Sequence, residues 1–453
     1  MKIIIVGVGK VGETLTQFLS EEGHDIIVID IDPFFVESVV ERYDVRGVIG
    51  NGASFETLLE AEVNSTDLII ATTDRDEVNI LSCLVAKRYG VKYSIARVRN
   101  PEYSTQVHFY HDELQINLIV NPELETAREM LRIISYPSAS KIDPFAKGRL
   151  DLVEVIVHED SPLIGMALKD IAVRLKIRIL VCAVERDGEA YIPSGDFIIE
   201  AKDKIYYTAA QEELIKSFKR LNVLKKPIRN VLIIGGSAIA YYLVSRLKHR
   251  NINVKIIEKD MKRAQELSEQ LPHATIIYGE GSDQELLYEE GIEETDAVIT
   301  LSGVDEENII ISLFASQIGV PKVITKLNHY NYSNILKTIN LDSVLSPKEI
   351  CANEIIRYVR SLEYAEEYEM LTLYKLINQQ VEAAEFYIHE ASDIIDKTLD
   401  ELKLKKEVLV ASIIRGKHHI IPSGNDVIKP HDRVIIVSKN QTVQRLEDVL
   451  LKR

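Results

Sequence analysis

The chain has no run of the roughly 18 consecutive apolar residues that a membrane-spanning helix requires, although apolar residues fill 46% of its 453 positions. The N-terminus also lacks the marks of a secretory signal. One lysine precedes a β-rich run that leads straight into a glycine turn, with no small-residue cleavage site. The expectation is a soluble, cytoplasmic protein of about three or four domains. Cysteine is scarce. Cys83, Cys182 and Cys351 lie far apart, with no CxxC and no Cys/His metal spacing, so neither a disulfide framework nor a metal site is expected. Each reads as a buried, inert thiol. Positive charge is short as well: 54 Lys and Arg against 70 Asp and Glu leave a formal net charge of −16. That balance argues against nucleic acid as a partner, because phosphate contacts need a basic face. It argues equally against simple docking on anionic lipid, and leaves a basic protein surface open.

Catalytic signatures are missing too. There is no GxSxG and no HExxH, and His108, His111, His418, His419 and His431 fall in no acid–base constellation. No catalytic residue is expected.

What the chain does contain is itself, twice. Gly7 returns as Gly235 and Asp30 as Glu258, 228 positions on. GNGAS (50–54) returns as GEGS (279–282), and STDLIIATT (65–73) as ETDAVITLS (294–302). DEVNILS (76–82) pairs with EENIIIS (306–312), and NPELETAREMLRII (121–134) with SPKEICANEIIRYV (346–359). YIPSGDFIIEAKDKIYY (191–207) pairs with IIPSGNDVIKPHDRVII (420–436). Order and offset are kept throughout, so the chain is read as a long-period duplication.

Each half divides again. In residues 1–120 short β-rich runs (IIIVG, DIIVID, GVIG, DLIIAT, YSIARV) alternate with helical segments. That alternation predicts a doubly wound parallel sheet with right-handed crossovers. In the first helix Val11, Leu15, Phe18 and Leu19 mark the expected core face. NPELETAREMLRIISYP predicts a crossover helix within 121–138, bounded by Asn-Pro and Tyr-Pro. SASKIDPFAKGR (138–149) has linker composition, and 139–224 reads as a small α+β lobe with hairpin-like strands. KKPIRN (225–230) is the hinge into the second half. That half repeats the plan as a Rossmann-like lobe (228–345), a crossover helix (346–363) and an α+β lobe (364–453). The fold class is α/β, in two tandem units.

The stretch GVGKVG follows an apolar strand, opens a helix, and is answered by an acid about 20 residues on, the context of a dinucleotide fingerprint. Gly7 serves the tight turn, Gly9 the approach of a pyrophosphate, and Gly12 helix–strand packing, with helix N–H groups facing the phosphates. Lys10 is either a phosphate contact or a solvated lysine. Asp30 is placed to accept both ribose hydroxyls and to repel a 2′-phosphate, which favours NAD(H) over NADP(H). Asp32 shares that role or caps the helix after Pro33. Gly50, Asn51 and Gly52 suit a loop beside an adenine, with Ser54 as the next helix cap. Thr73 and Asp74 follow the fourth strand at the ligand edge of the sheet, and Arg97 follows the fifth, either reaching a phosphate or making a surface ion pair. The second copy reads Gly235, Gly236, Ser237, Ala238, Ile239, Ala240. The first glycine and the acid Glu258 survive, Gly279, Glu280 and Gly281 keep the adenine-side turn, and Lys326 stands where Arg97 stood. That lobe binds weakly, binds a different adenine nucleotide, or is structural.

GVGKVG with Asp30, GNGAS, ATTDRDEVN, ARVR, the NPE crossover helix, SPLIG (161–165) and PSGD (193–196) closely resemble the peripheral, cytoplasmic subunits of Trk potassium-uptake systems, the TrkA family. These are built from two tandem regulator-of-potassium-conductance units. The resemblance spans essentially the whole chain. It implies a homotetrameric ring on the inner face of the membrane, docked on a potassium-translocating TrkH-like subunit. It further implies gating by NAD(H), or by ATP or ADP, through a non-enzymatic change of shape. Carried over by motif, the first site comprises Gly7, Val8, Gly9, Lys10, Val11, Gly12, Asp30, Asn51, Gly52, Thr73, Asp74 and Arg97. The second involves Gly235, Gly236, Ser237, Ala238, Ile239 and Glu258. The competing readings are an NAD-dependent oxidoreductase and a nucleotide sensor acting on another transporter.

Overall fold

The computed structural model describes residues 1–100, 112–137, 139, 141–145, 150–223, 226–248, 250–328, 341, 343–367, 370–377, 380–389, 394–416, 418–439 and 446–450. His108 and His111 lie outside them.

The first lobe is a parallel sheet of β1 (Lys2–Val6), β2 (Asp25–Asp30), β3 (Arg46–Ile49), β4 (Leu68–Ala71), β5 (Tyr93–Arg97) and β6 (Leu118–Val120). Their spatial order is β3-β2-β1-β4-β5-β6, so the chain reverses direction across the sheet between β1 and β4. Ile3, Ile4 and Ile5 in β1 and Leu68, Ile69 and Ile70 in β4 are fully buried. Such continuous apolar strands form where both faces of a sheet are covered by helices. In the first helix (Lys10–Glu21) the buried stripe is Val11, Gly12, Leu15, Thr16 and Leu19. Phe18, expected in the core, is 39% exposed. Residues 11, 15 and 19 recur four apart with 12 and 16 beside them, and position 18 falls off that face. The three-residue β6 was not anticipated, because LIV is too short to stand out by periodicity.

Residues 138–149 correct a second expectation. They supply more than a linker: Lys141–Phe145 is β7, paired antiparallel with β8 (Leu150–Ile156). With β9 (Leu180–Arg186), β10 (Glu189–Tyr191) and β11 (Lys204–Thr208) they form the antiparallel sheet β10-β9-β11-β8-β7. The second half repeats both designs. Its parallel sheet comprises β12 (Asn230–Ile234), β13 (Asn253–Glu258), β14 (Thr275–Tyr278), β15 (Ala297–Thr300), β16 (Lys322–Lys326) and β17 (Ser343–Leu345), ordered β14-β13-β12-β15-β16-β17. Its antiparallel sheet comprises β18 (Met370–Leu376), β19 (Val381–Tyr387), β20 (Val408–Arg415), β21 (His418–Ile420) and β22 (Arg433–Lys439), ordered β18-β19-β22-β20-β21.

The halves alternate in sequence but their lobes associate by kind. Residues Met1–Ile134 and Ile228–Ile356 form one compact unit, and Ser135–Pro227 and Arg357–Arg453 another. In the first unit the helix Pro122–Ser135 leaves its own sheet and buries Ala127, Met130 and Ile134 in one cluster with Ile239, Tyr242, Leu243 and Leu247 of the second Rossmann lobe. At its start the Asn121 side-chain amide donates to the Tyr242 hydroxyl at 3.1 Å. In the second unit the two antiparallel sheets share a cluster that includes Cys182, Ala183 and Tyr206 with Val381, Ala383 and Ala411. Gln380 adds polar contacts: its side-chain oxygen accepts from the Ala190 amide at 3.0 Å, and its nitrogen donates to Gly188 O at 2.8 Å. All three cysteines are buried, and burial pushes each thiol up to about 12.

Both antiparallel sheets carry a buried aspartate held by an arginine fork. Arg186 donates to Asp203 at 2.7 and 2.8 Å, and Arg415 to Asp432 at 2.9 and 2.7 Å. Each aspartate also accepts a backbone N–H, from Glu200 and Lys429 respectively.

Two outcomes follow. Met130→Ala, which opens a cavity in the shared core, is expected to cost about 2–5 kcal/mol, read as an earlier urea or thermal transition. Asp203→Ala strands the Arg186 guanidinium and the Glu200 amide, and is expected to cost about 3 kcal/mol. A transition unmoved by either substitution would contradict these packing assignments.

Candidate functional site

The glycine turn between β1 and the first helix separates internal from external demands on its residues. Gly7 has φ +89°, and a Cβ there would meet Thr73 N at 2.6 Å; a Cβ on Gly12 would meet Gly7 O at 2.0 Å. Those two glycines are required by the fold itself. Gly9 is different: a Cβ added there meets no protein atom within 4 Å. Its backbone faces open space, as the close approach of a phosphate demands.

That space is a cavity of about 580 Å³ at the carboxyl ends of the strands, lined by Gly7, Gly9, Lys10, Val11, Asp30, Asn51, Gly52, Thr73, Asp74 and Arg97 among others. Its size suits a small-molecule site. Of the residues expected at the first site, Val8 and Gly12 stand behind the wall. Val8 is buried and acts through its backbone, whose N–H donates to Asp30 Oδ2 at 2.7 Å. The other Asp30 oxygen accepts from Asp32 N at 3.0 Å. Two backbone amides therefore hold the carboxylate in place before any ligand arrives. Asp32 caps the following helix by accepting from Phe34 N at 3.0 Å, and its residue also lines the cavity. Asn51 Oδ1 accepts from Ala53 N at 3.0 Å, which fixes the loop around Gly52. Ser54 takes the N-cap position of the next helix but makes no side-chain cap bond.

On the far side, Asn79 was not singled out from the sequence, yet it organises the edge. It is fully buried. Its Oδ1 accepts from Thr73 N and Thr73 Oγ1 at 2.8 and 2.7 Å, and its Nδ2 donates to Thr73 O and Arg97 O at 3.0 and 2.9 Å. Arg97 Nη1 donates to Thr73 O at 3.0 Å, while its Nε is buried without a partner among the described residues. Asn308 repeats this device in the second lobe, bonding Ser302 N, Ser302 O and Lys326 O. The retained Asn in DEVN and EEN was the available signal. Lys348, also missed, lines the first cavity from the second half of the chain. The pairing of NPEL with SPKE located its helix but not the lobe that the helix reaches.

The second lobe holds a smaller cavity, about 320 Å³, lined by Gly235, Gly236, Ser237, Glu258, Lys259, Arg263, Glu280 and Glu307 among others. Two expected members stand elsewhere. Ile239 is 3% exposed in the shared apolar core, and Ala238 lines an adjoining cleft with Arg99 and Glu123. Both lie on the first turn of the helix Ala238–Leu247, directly after its N-cap Ser237. Glu258 repeats Asp30, accepting from Gly236 N at 2.5 Å and from Asp260 N at 2.8 Å. The surroundings do not repeat. Where the first cavity has Ile31, Phe35, Asn51 and Val78, the second has Lys259, Arg263, Glu280 and Glu307 at the corresponding positions. These charges meet one another. Lys259 lies 3.7 Å from Glu280 and 3.8 Å from Glu307, and Arg263 Nε donates to Gly236 O at 2.9 Å. Four apolar or neutral positions of the first cavity are thus charged in the second, while Ile234, Ile257, Leu301 and Ile311 remain in its lining. Lys326, the counterpart of Arg97, donates to Ser302 O at 2.8 Å, and burial pushes its pKa down.

The TrkA-N domain family matches residues 3–122 and again 231–347, and the TrkA-C domain family matches 152–221 and 383–451. The Trk system potassium uptake protein TrkA of Haemophilus influenzae is 31% identical over 452 residues, covering 99% of this chain and 98% of its own length. A Trk system potassium uptake protein TrkA homolog of Methanosarcina mazei is 32% identical over 457 residues, covering 99% of each. Among solved structures, the GsuK RCK domain shares the fold with a TM-score of 0.63 at 17% identity, over 97% of this chain and 92% of that one. The GsuK channel bound to NAD does so at 0.63 and 18% identity, over 97% and 77%. With both domain types matched twice in tandem and full-length relatives above 30% identity, the chain belongs to the TrkA family.

Proposed function

We propose that the chain is the regulatory subunit of a Trk-type potassium-uptake system. It holds NAD(H), or a related adenine nucleotide, in the first Rossmann cavity, and occupancy sets ion flux through a TrkH-like membrane partner. The nucleotide is a signal and is not consumed. The subunit works at the inner face of the membrane as a homotetrameric ring. The observation that carries the ligand is Gly9, a glycine with no protein neighbour to require it, beside a pre-held Asp30. Family membership carries the cargo. Among the described residues no helix is long and apolar enough to cross a membrane, so on this reading the ion passes through the partner.

In this reading Gly7, Gly9, Lys10 and Val11 cradle the pyrophosphate, Asp30 takes the adenosine ribose, and Asn51 and Gly52 flank the adenine. Thr73, Asp74 and Arg97 face the distal half of the ligand. The second cavity is a structural remnant: at about 320 Å³ against 580 Å³ it is much smaller than the first, and Lys259, Arg263, Glu280 and Glu307 put charges where the first has Ile31, Phe35, Asn51 and Val78.

Asp30→Ala is expected to weaken NADH binding about tenfold or more, as loss of hydrogen bonds to a charged group does. Gly9→Ala should weaken binding while leaving the unfolding transition in place, since its Cβ enters the ligand's space and meets no protein atom within 4 Å. In cells carrying the cognate membrane subunit, both variants should alter potassium uptake that depends on this chain. Uptake indifferent to the chain itself would remove potassium as the cargo. By titration calorimetry one NADH per chain is expected, and two equivalents would overturn the assignment of the second cavity.

A further inference from the structure

We propose that Lys348, from the second half of the chain, contacts the distal phosphate of a nucleotide bound in the first lobe, so that one ligand is gripped by both halves. This rests on reading the first cavity as a nucleotide site.

Lys348 lies in the first turn of the helix Pro347–Glu367, yet it forms part of the first lobe's cavity wall together with Lys10 and Arg97. Its place along the cavity follows from the sheet. Asp30 ends β2 and Arg97 ends β5, and the order β2-β1-β4-β5 sets them three strand spacings apart, about 14 Å. The glycine turn ends β1, between them. Lys348 shares the cavity lining with Lys10, at the glycine turn, and Arg97, at the end of β5, and it feels the charge of Lys10 first and then those of Asp305, Arg97 and Lys326. A ligand with its ribose on Asp30 and its first phosphate over Gly9 points its next phosphate there.

The electrostatics of that corner are unfinished. Lys10, Arg97 and Lys348 bring three cations to a cavity whose lining also includes Asp30, Asp32, Asp74 and Arg75, and no hydrogen bond or ion pair joins the Lys348 ammonium to a described residue. Burial, and then the neighbouring Lys10, push its pKa down; Asp305 offsets this only in part, and Arg97 and Lys326 add to the repulsion. Arg97 contributes a buried Nε that also lacks a partner among the described residues. A phosphoryl group supplies the missing anion and acceptors for both.

The duplicated counterpart carries the opposite sign. The helix Pro122–Ser135 begins with Glu123 where the second helix has Lys348, and Glu123 stands beside Ala238 at the second lobe's turn. Its Oε1 accepts from Arg99 Nε at 2.8 Å, and its Oε2 is buried without a partner among the described residues. Each lobe thus receives one residue from the other half's helix. The first lobe receives a cation in the wall of its cavity, and the second an anion, paired with Arg99, in the cleft beside Ala238.

The test compares AMP, ADP, ATP and NADH binding to the full chain and its variants by calorimetry. Lys348→Gln should lower affinity for ADP and NADH about tenfold, lower ATP affinity more, and leave AMP within twofold. Lys348→Arg should restore binding. Removing an unpaired, repelled cation should leave the ligand-free unfolding temperature unchanged or raised. Affinity that is unchanged in Lys348→Gln, or that falls equally for AMP, overturns the proposal, as does a lowered ligand-free unfolding temperature that Lys348→Arg restores without restoring binding. If the unsubstituted chain binds none of the four ligands, the nucleotide reading itself fails first. If it binds them and Asp30→Ala weakens all four, that reading stands whatever Lys348 does.

Discussion

Much of this structure depends on one exchange: a helix that follows one Rossmann sheet is buried against the other. Ala127, Met130 and Ile134 find their apolar partners in Ile239, Tyr242 and Leu243, more than a hundred residues away in sequence. Burial of this kind is the main favourable term in folding. Here it also decides which lobes meet. Because the helix is spent on the second lobe, the two Rossmann lobes form one unit, and the α+β lobes that follow them in sequence are left to form the other. The same exchange brings Lys348 to the first cavity and Glu123 to the second lobe's turn.

Within that frame the two nucleotide-type cavities differ by chemistry and not by backbone. Both have the positive-φ glycine, the acid held by two backbone amides, and the buried asparagine that ties the fourth and fifth strand ends. The divergence lies in a few side chains on the rim. An adenine ring is bound by apolar and neutral surfaces, and a wall of mutually paired Lys, Arg and Glu offers it desolvation cost with little return. On the proposed reading, the second cavity keeps the binding fold without its ligand. Lys259, Glu280 and Glu307 are partly exposed and lie within ion-pair distance of one another, so their charges cost the fold little.

The sheet architecture was legible because the strands are short, apolar and bounded by turn residues, and because the duplication gave each one twice. The runs at Lys2–Val6, Asp25–Asp30 and Leu68–Ala71 could be read from composition alone. Leu118–Val120 could not, since a three-residue strand is specified by the neighbour that accepts it. Lys141–Phe145 was hidden for a similar reason: its proline suits an edge strand, yet in a sequence it reads as punctuation. Phe18 misled because a bulky apolar residue beside a stripe looks like part of it. The lining of the first cavity was largely legible, since glycine spacing and an acid at a strand end carry geometric meaning. Lys348 was not, because local pattern is silent about which lobe a helix turn will face. Asn79 and Asn308 were written in the repeat, and the signal was present without being weighed. The second cavity's substitutions at Lys259, Arg263 and Glu307 needed the fold to bring them onto one wall.

The association of like lobes brings two copies of one design together within one chain. Two identical single-unit chains, meeting through exchanged helices, would give the same pair of Rossmann lobes related by a twofold axis. In such a dimer every substitution appears twice, so a residue presented to the neighbour's site must suit both sites at once. Joining the copies through residues 225–230 removes that restriction. Position 123 and position 348 descend to opposite charges, and Phe35 and Arg263 to opposite polarities, only because each is now encoded once. Covalent fusion converts a symmetric pair of sites into two that can be tuned separately, within one core that neither can leave.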